Sequence, residues 1–373
     1  MNYYRLWVCI IVIGIFSCQQ DEGVSFDDAI DISETSIEKA SFNHLDESVL
    51  KSEWWNRFPV GAQEMMAIEM KAIGKKINLE ELKSRQNKAN RLAESSFRDQ
   101  GCHDLPGHNN IDVFLMSQQD VDEQGMLDCN FIKGNLIIYS NSENDPIVDL
   151  NPLNKLEAVG GSVYIEAHHL TNLKGLENLE SIGSVGPFGY LRITGKRLQS
   201  IDNLYNLSYL YGSLRVSQTN ELTAIDHAFK KLTSIPSLPL PPMQISSNSL
   251  ELMENTALKS LYGFSYIAVT DEFRIEYNES LEDLDGFSRL KTIVKYLVIT
   301  KNSSLNDITG LSGLEMVGNY ISLHSNVNLE DCCSIFHLLC LDPQCNQPND
   351  EIHIQIAGNG IDYEDIIQNG PCN

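Results

Sequence analysis

Two stretches of this chain can be laid over one another residue by residue. From Leu297, apolar residues fall at Leu297 and Ile299, then Asn302, then Leu305, Ile308, Leu311, Leu314 and Val317. From Phe273 the same frame gives Phe273, Ile275, Asn278, Leu281, Leu284, Phe287, Leu290 and Ile293. A two-residue alternation followed by a three-residue ladder is a strand followed by a tight coil or 3₁₀ turn. One such unit cannot bury its apolar side alone, so the units must stack into a solenoid.

The first inward position of each unit falls at Leu136, Val163, Leu191, Leu214, Leu250, Phe273, Leu297, Ile321 and Ile354, with spacings of 27, 28, 23, 36, 23, 24, 24 and 33. Those of 36 and 33 need insertions. Nine strands about 4.8 Å apart make a parallel sheet roughly 40 Å long. The fold expected is mainly β: a right-handed leucine-rich β-helix of about nine rungs, preceded by a short helical or disordered stalk. Asparagine recurs five residues after the first inward position, at Asn141, Asn255, Asn278, Asn302, Asn326 and Asn359, and is replaced by His168, Lys196 and Thr219. A side-chain amide there can satisfy backbone groups where each strand ends. Gly175, Gly263, Gly286 and Gly310 sit within the ladder and are expected to allow positive φ or close packing of coils.

The G-x-L-x-I strands followed by N-x-x-L-x-x-L-x-G-L-x-x-L-x-x-I, as in NSSLNDITGLSGLEMV, resemble the receptor L-domain over roughly residues 102–372. That resemblance implies a leucine-rich β-helix used for ligand binding. Bacterial surface proteins carry similar arrays. The chain has no kinase or furin-like region, so receptor signalling is not implied.

The ends read differently. Arg5 precedes an apolar run from Leu6 to Phe16, too short to span a bilayer and suited to a signal-peptide core over 1–17. Ile15-Phe16-Ser17-Cys18 resembles a bacterial lipobox, with Cys18 as the lipidated residue. Gln19-Gln20-Asp21-Glu22 resembles the acidic export signal of Bacteroidetes lipoproteins, which implies an outer-membrane anchor facing the cell exterior. Residues 18–58 read as a flexible acidic stalk and 59–101 as a helical segment, packed on the array or docking a partner.

Cys102 and Cys129 bracket residues 102–129 and are expected to pair as an N-terminal cap. The repeats proper occupy 130–331, and 332–373 holds the last rungs and a cysteine-rich cap. Cys332 shares the ladder position of Ile308 and Leu284 and should point into the core. Cys333, Cys340, Cys345 and Cys372 are left for two bridges whose connectivity is open. Zinc is the alternative, but paired C-x₂₋₄-C units are missing, and no metal or cofactor is expected.

The formal net charge is −24, and removing residues 1–17 takes away one arginine and no acid, giving −25. Such a field opposes nucleic acid. Against it, the outward strand residues form a candidate binding face: Tyr139, Tyr164, Arg192, Arg215 and Arg274. These arginines could instead pair with Glu166, Glu251 and Glu276. The 36-residue spacing contains Pro236, Leu238, Pro239 and Leu240, a stiff excursion that is a candidate binding loop or a tolerated insertion. Nucleophile-elbow, zincin and phosphate-loop motifs are missing, and His168-His169 reads as a turn. The expectation is therefore a surface-anchored binding protein without catalysis, for an unidentified protein or glycan. The alternative is an outer-membrane protein that captures or cleaves polysaccharide.

Overall fold

The computed structural model describes residues 112–140, 144–184, 189–235, 248–330, 332–340, 349 and 352–361. The signal segment, Cys18, the stalk, the 59–101 segment, Cys102, Asn141, Pro236, Leu238, Pro239, Leu240, Cys345 and Cys372 lie outside the described residues. What is described is mainly β, built on one long parallel sheet. Its strands follow one another in chain order: β1 (Val113–Leu115), β3 (Leu136–Ser140), β5 (Val163–Ala167), β7 (Leu191–Thr194), β9 (Leu214–Ser217), β11 (Ser249–Met253), β12 (Val269–Glu276), β13 (Thr292–Thr300), β15 (Tyr320–His324) and β16 (His353–Ala357). Every pairing is parallel, and all nine inward positions expected from the spacing fall in one register from Leu136 to Ile354.

That single register follows from the period of two in a strand. A slip of one residue would turn each apolar set to the other face. Leu136, Leu191, Leu214, Leu250, Phe273, Leu297 and Ile321 have no exposed surface. The coil ladder meets them inside: Leu281, Leu284, Phe287, Leu290 and Ile293 are equally buried. Burying each such side chain contributes about 1.5–3 kcal/mol. Phe229, Phe264 and Phe287 stack from coil to coil at 5.3 and 5.2 Å between ring centres, and Phe273 meets Phe287 edge-on at 4.7 Å. Short 3₁₀ turns at Asp202–Leu204, Tyr262–Phe264, Asp285–Phe287 and Thr309–Leu311 close successive coils.

A tenth strand precedes the nine that the spacing indicates. β1 pairs with β3 through Val113 and Leu136, and α1 (Gln118–Gly125) follows it. Ser117 opens that helix with a capping box. Its hydroxyl accepts the Asp120 N–H, and the Asp120 carboxylate accepts the Ser117 N–H at 3.0 Å. Val121 on this helix is fully buried, so the helix covers apolar surface at the first rung.

A second, short parallel sheet runs beside the first rungs: β2 (Phe131–Ile132), β4 (Ala158–Val159), β6 (Ser181–Ile182) and β8 (Tyr209–Leu210). Later, β10 (Ser234–Ile235) and β14 (Met316–Val317) pair with the first residues of β12 and β13 instead. These two strands pass the corner unbroken, with a register shift between Thr270 and Glu272. In the first rungs the corner is made by glycine, and Gly183 takes φ +89°, which a side chain would strain.

Of the ladder glycines, only Gly175 has positive φ. At Gly286 and Gly310 the second expectation holds: a Cβ there would overlap the carbonyl of Leu261 or Leu284 in the preceding coil. Cys332 is a buried thiol in the ladder. Cys129, Cys333 and Cys340 are among the described residues, whereas Cys102, Cys345 and Cys372, the other cysteines of the expected bridges, are not. Among the described residues no helix is long and apolar enough to cross a membrane.

Candidate binding face

Strand alternation sends the side chains between the inward positions to the opposite face of the main sheet. The register arranges them in columns running across the strands. One column reads Phe114, Ile137, Tyr164, Arg192, Arg215, Glu251, Arg274, Val298, Ser322 and Gln355. The next begins at Tyr139 and continues through Glu166, Thr194, Ser217, Met253, Glu276, Thr300 and His324.

The five candidate residues thus all lie on this face, but not as one stripe. Tyr164, Arg192 and Arg215 are consecutive neighbours. Tyr139 stands in the adjacent column opposite Glu166. Arg274 is separated from Arg215 by Glu251. Small members of the face are shielded by their taller neighbours. Thr194 and Ser217 are buried, with their hydroxyls 3.2 Å apart.

The arginines differ in how they are neutralised. Arg215 Nη1 lies 3.4 Å from Glu251 across the strand boundary. Arg274 is held along its own strand, by Glu272 at 3.4 Å and Glu276 at 3.5 Å. Glu272 is a partner the sequence did not offer, because it precedes the inward position and the register shifts just before it. Glu166 forms no ion pair among the described residues, and neither does Arg192. The Nε atoms of Arg192 and Arg215 are buried without a hydrogen-bond partner.

Three further members were not read from the sequence. Phe114 and Met116 are about half exposed, at 49% and 50%; Phe114 stands beside Ile137, and Met116 directly follows β1. Tyr190 precedes Leu191. Burial, then the neighbouring Tyr164 and Glu251, push its hydroxyl above the usual tyrosine range. The first two were obscured because residues 102–129 looked like a cap. Tyr190 falls one residue before the first inward position, although the alternation itself extends to it.

The asparagine positions are structural. The Asn302 Oδ1 accepts both the backbone N–H (3.0 Å) and the side-chain N–H (3.2 Å) of Asn278, and Asn302 Nδ2 donates to Asn326 Oδ1 and to the Ile275 carbonyl. The relay runs from Thr219 through Asn255, Asn278, Asn302 and Asn326 to Asn359. Thr219, seemingly a substitute, joins through its hydroxyl at 2.7 Å. His168 and His169 lie in a turn and leave their Nδ1 atoms without a partner.

Among the described residues no cluster of His, Cys, Asp and Glu could hold a metal ion. No curated protein and no solved structure matches the chain. A family model described as the receptor L domain matches residues 128–188, so the first rungs form a receptor L-domain-like region, which suggests a domain that binds a ligand.

Proposed function

We propose that this chain is a surface-anchored binding lipoprotein. In this reading the rungs form a right-handed leucine-rich solenoid, and the outward face of its main sheet engages a protein. Cys18 carries the lipid that holds it at the outer membrane, the 18–58 stalk sets the array away from the surface, and Cys102–Cys129 and the C-terminal cysteines brace the two ends. No catalysis is assigned to it. The observation that carries the reading is the gathering of Phe114, Met116, Tyr139, Tyr164, Arg192 and Arg215 at one end of a rigid sheet. Aromatic, methionine and arginine side chains are the types enriched in protein interfaces.

A second reading, glycan capture, draws on the other end of the face. There Tyr296, Tyr320 and His353 share a column, with the Tyr320 and His353 rings stacked at 5.3 Å. Flat rings of this kind can receive sugar faces. The test is a comparison of protein-array and glycan-array binding by the purified chain, with Tyr164→Ala and Tyr320→Ala beside it. Protein binding lost in Tyr164→Ala supports the first reading. Glycan binding lost in Tyr320→Ala, or release of sugars from polysaccharide, supports the second.

A further inference from the structure

The face holds one arrangement that the chain's own chemistry leaves unfinished. Arg192 and Arg215 are register neighbours on adjacent parallel strands, which places their Cα atoms about 4.8 Å apart. Like charges directly opposite one another destabilise a sheet. One carboxylate, Glu251, meets Arg215, and none meets Arg192 within an ion-pair distance among the described residues. The chain does not lack acids: it carries 51 Asp and Glu against 27 Lys and Arg. Arg274, two strands further on, has two carboxylates to itself. Glu166 stands in the adjacent column facing Thr194 and forms no ion pair among the described residues.

Two phenols complete the surroundings. Tyr164 is the register neighbour of Arg192 on its other side, and Tyr190 lies two residues before Arg192, just ahead of β7. Both are partly exposed. The site is thus a pair of guanidinium groups short of one anion, with hydroxyl groups beside it.

We propose that Arg192 and Arg215, flanked by Tyr164 and Tyr190, are the point on this face where a carboxylate from an acidic segment of the protein partner is held. This rests on the reading that the sheet face binds a protein. A planar carboxylate matches a guanidinium through two parallel hydrogen bonds. The neighbouring apolar group argues for a peptide source. Phe114 lies on β1, with Met116 just after it, three strand spacings from Arg192 and about 14 Å away. An extended segment of a few residues spans that distance, bringing apolar side chains to one end and an acid to the other.

Random peptides displayed on phage and selected on the purified full-length chain provide the probe. The expected result is enrichment of peptides with an Asp or Glu at a fixed offset from an apolar residue. Binding should fall at least tenfold in Arg192→Gln, less in Arg192→Lys, and fall again as salt is raised. An unchanged melting temperature in both variants would show that folding is not the cause. Selected peptides that lack an acid, or that bind Arg192→Gln as well as the parent, would overturn this site and leave protein binding by the face intact. A polyuronate oligosaccharide that binds the parent but not Arg192→Gln, with no peptide selected, would overturn the peptide source in favour of an acidic glycan. If neither probe binds, both this site and the protein-binding reading fall.

Discussion

Where β9, β11, β12 and β13 end, a buried side chain takes over the backbone bonding: Thr219, Asn255, Asn278 and Asn302 pass hydrogen bonds from rung to rung. Where β5 and β7 end, His168 and Lys196 stand in those places, and no such relay forms. The two regions also differ one residue earlier. Gln218, Glu254, Tyr277, Lys301 and Ser325 all have φ of 56–57°, in the left-handed region, although none is glycine. Ala167 is not among the positive-φ residues. The asparagine relay therefore comes with a backbone cost at each rung, of about 1–2 kcal/mol for an L-residue. The early rungs tie the start of their strands instead. Asp112 accepts the Asn135 N–H, Asn135 accepts the Ser162 N–H, and Ser162 accepts the Tyr190 N–H. Ser213 continues these ties by accepting the Ser249 N–H, so the leucine ladder is held at strand starts alone in the early rungs and at both strand ends where β9 meets β11.

The largest test of this difference is Asn302→Ala. It removes the acceptor of the Asn278 N–H and the side-chain donor to the Ile275 carbonyl in a fully buried setting, while the Asn326 amide oxygen keeps only the Asn302 backbone N–H. The expected cost is about 3–5 kcal/mol by urea unfolding, since each orphaned buried group costs about 1–3 kcal/mol. Lys196→Ala, at the corresponding position of an early rung and exposed, should change stability by less than about 0.5 kcal/mol. Equal effects would abolish the distinction.

Gly310→Ala comes next. Its Cβ would overlap the Leu284 carbonyl, so coils must separate, at a cost of about 1–3 kcal/mol. Gly195→Ala meets only ordinary contacts near 3.4 Å, from the Ala167 carbonyl and Leu198, and should cost less than about 1 kcal/mol.

Glycine at the left-handed position should reverse sign between the regions. Glu254→Gly relieves an unfavourable φ and should raise stability by about 0.5–1 kcal/mol, after allowing for glycine's freedom in the unfolded chain. Ala167→Gly relieves nothing and should lower stability by about 0.5–1 kcal/mol. Matching thermal shifts of one sign would show that φ is not the deciding term.

The smallest effect expected is one of pH. Burial pushes the Asp271 carboxyl above 3.8, and Lys295 at 3.6 Å with the Asn248 N–H does not offset it. A raised acid favours the fold fully below the unfolded value, and that stability is lost as pH rises through the folded one. Asp271→Asn should flatten this decline. Asp202, in an early rung, goes the other way. Burial pushes its carboxyl up, but bonds from the His227 N–H, the His227 ring and the Ala228 N–H outweigh this and hold it below 3.8. Its contribution is present above 3.8 and lost as pH falls through the folded value. Asp202→Asn should therefore flatten the acid limb in pH-dependent unfolding curves, leaving the higher-pH limb unchanged.

Much of the fold was legible because inward positions repeat with two fixed periods. A strand alternation and a three-residue ladder in one frame left a single register for Leu136 through Ile354. β1 was not legible from Val113–Leu115 alone, because three residues carry too little alternation. The capping box at Ser117 and Asp120 was a usable signal for the helix beside it. The left-handed positions have no mark of their own: Gln, Glu, Tyr, Lys and Ser occupy them, each directly before a member of the buried relay. On the face, alternation identified which side chains point outward but not what each one meets. Arg215 finds Glu251 across strands, Arg274 finds Glu272 beside a register shift, and Arg192 finds neither. Those outcomes depend on rotamers and bulges that a repeat count does not contain.

The proximity of Arg192 and Arg215 underlies both the register and the proposed site. Double substitution Arg192→Cys with Arg215→Cys tests it directly, because disulfides form when Cα atoms lie about 4.4–6.8 Å apart. Oxidation followed by peptide mass mapping should show the 192–215 cross-link. Absence of that link, together with a link in Arg192→Cys with Val216→Cys, whose second position faces the core, would contradict the register and with it the face.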